Sequence, residues 1–352
     1  MPRIREFLSL GVLPPGPLDA VTDVPGVRVG HASLRAGALR TGVTAVLPHG
    51  RNLYREKITA AAAVLNGYGK SIGLMQIEEL GTIETPILLT STLNVPRAAD
   101  ALITYMLAQD PVIGDSETVN PVVLECFDGY LSDARARAIG EAEVLAAIAS
   151  AREGPVETGC VGAGVGMRCQ GFKSGIGTAS RVIGPGEWCL GVLAVPNFGF
   201  PGDLVIAGVP VGRELAPVPQ PGERGSCVFV VATDAPLSAL DLRRIAWRCF
   251  LGMARTGAIS GVTSGDVAVA FTTARQAASP DRETMNRLFR AAVESAEEAI
   301  VDALFSAETT TGRDGHTMPA LPIQQTLEIL ARHRAPGLRR AATDAGAGGP
   351  GA

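Results

Sequence analysis

The chain has 352 residues and a mass of 36.4 kDa, and its 46% hydrophobic and 19% charged residues are typical of a globular protein with one large or two ordinary domains. Its formal net charge of -4 argues against a nucleic-acid partner. The chain contains no run of about 18 uncharged apolar residues, and its amino-terminal apolar stretch is too short for a secretion signal, so we expect a cytoplasmic protein without a membrane partner.

The residue spacing predicts neither a metal site nor a cofactor. The six cysteines form no C-x-x-C pair and the four histidines are scattered, so we expect buried, reduced thiols. The stretch "GYGKS" (67–71) lacks the first glycine of a phosphate-binding loop, where this chain has Val64. In "VGAGVGMRCQG" (161–171) the third glycine comes one residue too early for a dinucleotide fingerprint.

The predicted elements alternate between strands and helices. In chain order they are a strand at 43–48, a helix at 57–67, a strand at 85–92, a helix at 96–109, a strand at 119–127, a helix at 136–151, strands at 188–199 and 227–234, a helix at 238–256, a strand at 266–274 and a helix at 281–307. This alternation is consistent with an α/β layered fold without distinguishing among such folds.

Two stretches are predicted to lie outside the folded elements. The Pro- and Gly-rich "PVPQPGERG" (217–225) is typical of an exposed linker, and residues 335–352 are typical of a disordered tail. The helix at 238–256 begins with a capping signature, Ser238 followed by Asp241, and its apolar face indicates that it lies on a sheet.

The junction between the linker and the strand at 227–234 places Gly225 directly before Ser226. A serine hydroxyl is a weak nucleophile that needs a nearby base. If the bond between these residues were cleaved, Ser226 would carry a free α-amine with a pKa of about 7.7 to 8.0, which could act as that base. Gly225 would allow strained dihedral angles that expose its carbonyl group. A plain turn into a strand is the alternative, and Cys227, on the opposite face, is expected in the core.

The junction is accompanied by many other motifs. The chain contains "GPLDAVTDVPGVRVGH", "ECFDGYLSD", "GAGVGM", "KSGIGTASR", "GSCVFVVATDAPL", "LGMARTG", "SGDVAVAFTTA" and "TGRDGHTMPALP", in that order. Together they resemble the DmpA family of L-aminopeptidase/D-esterases and β-peptidyl aminopeptidases over about residues 8–325. Members of this family are N-terminal nucleophile hydrolases that cleave their own precursor before a serine.

The resemblance assigns roles to individual residues. It makes Ser226 the nucleophile and new amino terminus, with autocleavage between Gly225 and Ser226. It implies that Ser264 and Asp266, in "TSGD", lie beside the nucleophile, and that Asn197, in "PNFG", contributes to the oxyanion hole. It further implies that Glu125 holds the free amino group of the substrate and that Tyr130 lines the site.

Three residues depart from the family pattern. Val165 stands in place of a polar threonine, Ser174 in place of the commoner glycine, and Phe127 where small or polar residues are usual. All three are expected in pocket segments, where they would affect the choice of substrate.

The fold implied by the resemblance is a four-layer α/β/β/α sandwich. Residues 1–225 would form an α chain and residues 226–352 a β chain that begins with the nucleophile, both within one domain. The implied protein is a metal-free aminopeptidase or amidase acting on short peptides, amides or esters, including β-peptides or D-alanine amides, and it assembles as a homotetramer of αβ units or larger. An amidase acting on nylon-type oligomers and an uncleaved, non-enzymatic binding protein are the alternatives; Ser226 argues against the first, whose nucleophile is threonine.

Overall fold

The structure is a computed structural model that describes residues 2–184, 188–200, 202–215, 225–276 and 280–339. Its strands are β1 (Arg28–Leu34), β2 (Thr41–Leu47), β3 (Ile58–Gly67), β4 (Thr82–Ile83), β5 (Ile87–Ser91), β6 (Val122–Cys126), β7 (Arg168–Cys169), β8 (Phe172–Lys173), β9 (Gly177–Ile183), β10 (Trp188–Asn197), β11 (Ser226–Thr233), β12 (Gly265–Thr272), β13 (Thr310–Thr311) and β14 (Thr317–Met318). Its α-helices are α1 (Leu74–Leu80), α2 (Val95–Gln109), α3 (Glu141–Ala149), α4 (Gly212–Leu215), α5 (Ala239–Arg255), α6 (Arg282–Phe305) and α7 (Ile323–Arg332).

Two mixed sheets form the centre of the fold. One has the strand order β1-β2-β5-β6, and the other has the order β4-β3-β12-β11-β10-β9. Apolar side chains from the inner faces of both sheets form one core cluster, whereas α2 and α3 cover the outer face of the first sheet, and α5 and α6 cover that of the second. The predicted four-layer α/β/β/α sandwich is therefore confirmed.

Strand β11 shows how the sequence specifies these layers. All eight of its residues are buried. Cys227, Phe229 and Val231 belong to the core shared with α5 and α6, and Val228 and Val230 belong to the core between the sheets. This alternation follows from the two-residue period of a strand, and it confirms that Cys227 is a core residue.

The predicted helix at 57–67 is wrong, because this segment is strand β3. Its alanine run favours a helix by local propensity. In the structure, however, Ala61 and Ala63 face the α5–α6 core, and Ala60 and Ala62 face the other sheet. The strand pairs with β12 along most of its length. Tertiary packing on both faces thus outweighs the helical propensity of alanine.

The other predicted helices are found, with one change of boundary. The helix predicted to begin at 136 begins at Glu141, because residues 134–136 form a separate 3-10 turn that ends at Arg137 with a φ of 45°. Helix α5 has the expected cap, in which Ser238 Oγ accepts a hydrogen bond from the Asp241 amide at 3.2 Å. None of the helices in the described ranges combines the length and apolar character needed to cross a membrane.

The carboxy-terminal segment is ordered further than the sequence predicts. The Arg339 amide donates to the Phe7 carbonyl at 2.9 Å, and Leu338 forms a bridge with Leu8. Residues 335–339 therefore pack on the amino-terminal segment instead of belonging to the predicted tail, and residues 340–352 lie outside the described ranges. The linker predicted at 217–225 also lies outside them, except for Gly225.

The sheet order brings several strand ends together. Strands β11 and β12 are parallel and begin side by side, with Ser226 paired to Gly265. Strand β10 is antiparallel to β11 and ends beside Ser226. In the facing sheet, β5 and β6 are parallel, and Ser91 pairs with Cys126 where the two strands end. The candidate site lies at this end of the sandwich.

Candidate active site

A cavity of about 830 Å³ lies at these strand ends. Five residues that the sequence places in the site line it, namely Glu125, Tyr130, Asn197, Gly225 and Ser226. The fold thus brings together residues that are up to about one hundred positions apart in the chain. Ser264 and Asp266 are not among the lining residues, and they lie behind the wall that β11 and β12 form.

Ser226 is the first residue of β11 and is only 6% exposed. Its hydroxyl donates a hydrogen bond to the Gly225 carbonyl oxygen at 2.8 Å. The Gly265 amide donates to the same oxygen at 3.2 Å. The hydroxyl therefore lies beside the peptide group that precedes it, and a backbone N–H from the neighbouring strand polarises that group.

Gly225 is required for steric reasons. The space around it has no room for a side chain. A Cβ atom at this position would lie 2.6 Å from the Phe198 Cα and 2.7 Å from the Asn197 carbonyl oxygen. Only glycine allows the chain to pass this close to the end of β10, and this proximity positions the Ser226 hydroxyl.

Asn197 is the last residue of β10 and is buried. Its Oδ1 accepts a hydrogen bond from the Arg168 amide at 3.1 Å, and its Nδ2 donates to the Phe127 carbonyl at 3.0 Å. These two bonds fix the plane of the side-chain amide. A primary amide has two N–H groups on its nitrogen, so Asn197 has a second donor available for a ligand in the cavity.

Glu125 is a buried carboxylate, 2% exposed, near the end of β6. Its Oε1 accepts a hydrogen bond from the Lys70 amide at 2.8 Å, and its Oε2 accepts one from the Thr92 hydroxyl. Within the described part of the chain it takes part in no ion pair. A buried carboxylate without a cationic partner is costly, so this side chain is suited to bind a ligand that carries a positive charge.

Ser264 and Asp266 form a hydrogen-bonded pair behind Ser226, as the alternation at the start of β12 predicts. The Ser264 hydroxyl donates to Asp266 Oδ1 at 2.8 Å, and the Cys227 amide donates to the same oxygen at 2.9 Å. Ser260 donates to Oδ2. Burial raises the pKa of the Asp266 carboxyl, and the bonds from Ser260, Ser264 and Cys227 oppose that rise. The pair thus contacts the backbone next to Ser226.

Tyr130 lies in a layered wall of the cavity. Its ring stacks on the His316 ring with 4.7 Å between centroids, and the Arg168 guanidinium carbon lies 4.3 Å from the Tyr130 ring centre. The His316 Nδ1 atom is also 2.8 Å from the Tyr130 carbonyl oxygen. This wall therefore combines aromatic surface with positive charge.

Of the three residues that depart from the family pattern, one lies at the cavity. Phe127 lines it and is 48% exposed. The expectation is wrong for the other two, since Val165 and Ser174 are buried and neither is part of the lining. The tight glycine segment around Val165 packs on β2 and β1, because Gly162 lies against Thr44 and His31.

The structure adds three residues that the sequence analysis does not single out: Thr92, Ser260 and Arg168. Thr92 follows β5, whose parallel pairing with β6 brings it next to Glu125. A predicted pairing of these two strands would have indicated this contact. Ser260 lies in an irregular segment and Arg168 in the two-residue strand β7, and their spacing to the other site residues gives no signal.

The described residues contain no cluster of three or more His, Cys, Asp or Glu side chains suited to a metal ion. All six cysteines are buried and free, as expected from their spacing. Burial raises the pKa of the Cys227 and Cys126 thiols well above the usual value. These thiols remain protonated at neutral pH, which makes them poor nucleophiles.

The chain is similar to proteins of known family and structure. Residues 19–318 match the sequence model of peptidase family S58. The β-peptidyl aminopeptidase BapA of Sphingosinicella xenopeptidilytica is 36% identical over 366 residues, which cover 94% of this chain and 91% of that protein. The PH0078 protein from Pyrococcus horikoshii is 44% identical, with a TM-score of 0.90 and coverage of 95% of this chain and 99% of that chain.

A third relative carries the activity that the sequence motifs indicate. The L-aminopeptidase D-Ala-esterase/amidase from Ochrobactrum anthropi, described as a variant of the Ntn hydrolase fold, is 33% identical with a TM-score of 0.86. The match covers 95% of this chain and 99% of that one. These similarities confirm the resemblance drawn from the motifs, and they extend it over almost the whole chain.

Proposed function

The chain belongs to peptidase family S58, and from that premise we propose that it is an aminopeptidase whose nucleophile, Ser226, becomes a new amino terminus by self-cleavage after Gly225. One observation carries this proposal. The Ser226 hydroxyl lies 2.8 Å from the carbonyl oxygen of the preceding peptide and shares a cavity with a buried carboxylate that has no cationic partner among the described residues.

Self-cleavage begins with attack of Ser226 Oγ on the Gly225 carbonyl carbon. The peptide C–N bond breaks as the ester C–O bond forms, and the proton of the hydroxyl moves to the departing nitrogen. Water then hydrolyses the ester, which leaves a Gly225 carboxylate and a Ser226 residue with a free hydroxyl and a free α-amine. The N–H of Gly265, already bonded to the Gly225 oxygen, stabilises the negative charge that develops there.

Turnover uses the α-amine that self-cleavage creates. The amine removes the proton from its own Oγ, which attacks the carbonyl carbon of the substrate. The second N–H of Asn197 donates to the developing oxyanion. The proton then passes to the leaving amine, and water releases the acyl group from Ser226.

Ser264 and Asp266 have a supporting role in this mechanism. The Asp266 carboxyl accepts bonds from the Ser264 hydroxyl and from the amide of Cys227, the residue that follows Ser226. Cleavage would place the free α-amine of Ser226 at the start of β11, where Ser226 pairs with Gly265, the residue after Ser264. The pair orients this amine and stabilises it when it takes up a proton.

Glu125 makes the reaction specific for amino-terminal residues. An ammonium group at the substrate's amino terminus pairs with the buried carboxylate through a charge-assisted hydrogen bond. The relatives are named for β-peptides and for L-amino-acid and D-alanine derivatives. For this chain we propose short peptides, amides or esters with a free amino group, and Phe127 at the cavity wall is a determinant of the residue accepted.

We also propose that the enzyme assembles as a homotetramer of αβ units or larger. Exposed apolar side chains on one stripe of α5, at Leu240, Trp247 and Leu251, support an association of copies. Analytical ultracentrifugation of the purified protein measures the size of the assembly, and a monomeric αβ unit would overturn this proposal. The cytoplasmic location remains a prediction from the sequence.

The function is tested with a panel of aminoacyl p-nitroanilides. The panel contains L-, D- and β-amino acids, each with its N-acetylated counterpart, and a nylon-type amide oligomer. We expect turnover of free-amine members, little or none of acetylated ones, and loss of all turnover in Ser226→Ala. Turnover of the oligomer alone would favour the amidase alternative, and binding without turnover would contradict the enzyme assignment.

A further inference from the structure

Among the described residues that line the cavity, basic side chains outnumber carboxylates. Glu125 is the one carboxylate among the described lining residues, whereas four lining residues are basic: Lys70, Arg135, Arg168 and Arg313. When an ammonium group pairs with Glu125, as the proposed function requires, that carboxylate no longer offsets the basic side chains of the lining. A cavity with this excess favours a ligand that also carries a negative charge.

Two of the arginines lie at the Tyr130 wall. The Arg168 guanidinium is stacked on the Tyr130 ring. The Arg313 amide donates to the carbonyl of Leu131, the next residue, at 2.8 Å. The Arg313 Nε atom is buried and has no hydrogen-bond partner within the described ranges, and its ion pair with the largely exposed Asp314 is long, at 3.7 Å. A pair this long, with one partner largely exposed, contributes little.

The arginines and Glu125 are held by different parts of the fold. Glu125 is bonded to the Lys70 amide and to Thr92, which precede α1 and α2. Arg168 and Arg313 come from β7 and from the turn between β13 and β14. The Arg168 amide also bonds Asn197, so this wall begins at the oxyanion donor. A substrate with its ammonium at Glu125 and its carbonyl at Asn197 therefore extends its leaving group toward the arginines.

We infer that Arg168 and Arg313 form a subsite for a carboxylate on the leaving group. This inference rests on the proposed function, and it defines the substrate class as peptides that carry a carboxylate one residue after the scissile bond. Either the free carboxyl terminus of a dipeptide or an acidic side chain at its second residue supplies the anion. Arginine suits this task because its planar guanidinium binds a carboxylate through two parallel hydrogen bonds.

Three substrates that share one amino-terminal residue test the subsite. They are a dipeptide ending in alanine with a free carboxylate, the same dipeptide as its carboxamide, and a dipeptide carboxamide with glutamate second. We expect kcat/KM for the free acid to exceed that for the alanine carboxamide by about tenfold, equivalent to about 1.4 kcal/mol. If the acidic side chain is the natural anion, the glutamyl carboxamide will show that advantage instead.

The variants Arg313→Gln and Arg168→Gln should reduce this ratio toward one, and added salt should reduce it in the unmutated enzyme. Arg287→Gln is the matched control, because it removes an exposed arginine from α6, which forms an ion pair with Glu283. A purely structural effect of the variants would lower kcat/KM for all three substrates equally. The subsite is overturned if neither the free acid nor the glutamyl carboxamide exceeds the alanine carboxamide in the unmutated enzyme, or if the observed advantage is unchanged in both variants.

The same substrates separate this inference from the proposed function. Equal turnover of all three substrates would leave the aminopeptidase proposal intact and remove the subsite. If no substrate is turned over, calorimetric binding of the alanine acid and carboxamide to Ser226→Ala decides the matter. Tighter binding of the acid, lost in the double variant with Arg313→Gln, supports the subsite, and equal binding rejects it.

Discussion

Asn197 lies directly opposite Ser226 in the antiparallel pairing of β10 with β11. The proposed nucleophile and the proposed oxyanion donor are therefore positioned by one ladder of backbone hydrogen bonds. Both are buried, and both line the same cavity. A site held on strands keeps its geometry more precisely than a site built on loops.

Self-cleavage should divide the chain into two pieces. A cut after residue 225 of the 352-residue, 36.4 kDa chain gives, in proportion to length, fragments of about 23 and about 13 kDa. A denaturing gel measures their sizes, and amino-terminal sequencing of the smaller piece should read Ser-Cys-Val-Phe. Ser226→Ala should remain whole.

Gly225→Ala should cleave much more slowly, because its Cβ would collide with the backbone of residues 197 and 198. An intact chain with full activity contradicts the mechanism.

Removal of the Asn197 donor should affect catalysis more than binding. Loss of one oxyanion donor typically lowers kcat by about 100- to 1,000-fold, so we expect a fall of that size in Asn197→Ala with a small change in KM. Asn197→Asp is the sharper variant, since it keeps the acceptor for the Arg168 amide and loses both side-chain N–H groups. Steady-state kinetics of the two variants measure this, and a change confined to KM would exclude the role.

Glu125 should govern the requirement for a free amino group. Glu125→Gln keeps the size of the side chain and removes the charge, so kcat/KM for free-amine substrates should fall at least about tenfold. Self-cleavage should continue, because it needs no ammonium partner. Thr92→Val should cause a smaller loss, since Thr92 donates to the carboxylate, and Thr92→Ser, which keeps the hydroxyl, should restore activity. Equal turnover of free and acetylated substrates by the unmutated enzyme would remove Glu125 from this role.

Asp128 should make the stability of the protein depend on pH. It is 1% exposed, its carboxyl accepts a hydrogen bond from Ser91 at 2.7 Å, and burial raises its pKa from 3.8 to about 6. Between these two values the unfolded chain loses the proton more readily than the folded one. The folded state is therefore destabilised as pH rises from about 4 to about 6, by an amount on the order of 3 kcal/mol.

The comparison with Asp128→Asn measures this contribution, because the asparagine does not titrate. The difference in unfolding free energy between the unmutated protein and the variant should change across pH 4 to 6 and stay constant above that range. Denaturant unfolding at several pH values gives both free energies. A difference that is independent of pH would show that Asp128 has an ordinary pKa in the folded protein.

The sequence predicts the parts of the site that depend on local order. Ser264 and Asp266 are two residues apart where a strand begins, and that spacing alone places both side chains on one side. Cys227 is likewise assigned to the core by its position next to Ser226. Such inferences require only the period of a strand.

Other features depend on contacts between distant segments, which no local pattern reveals. The alanines of β3 indicate a helix until α5 and the facing sheet are known to pack on their two sides. Gly225 is needed because the backbone of Asn197 and Phe198 leaves no room for a Cβ atom. Arg168 and Arg313 are 145 positions apart in the sequence, and only the folded chain brings both to the Tyr130 wall.

The strand order of the six-stranded sheet has a consequence for the lifetime of the enzyme. Strands β3 and β10 precede the proposed cut and lie on either side of β12 and β11, which follow it. After cleavage the two pieces cannot separate without breaking this sheet, so the lifetime of the mature protein is set by the rate at which the sheet unfolds. After the mature protein unfolds, its two separate chains must associate again before it can refold. Its refolding then depends on protein concentration, whereas the uncut precursor refolds as a single molecule.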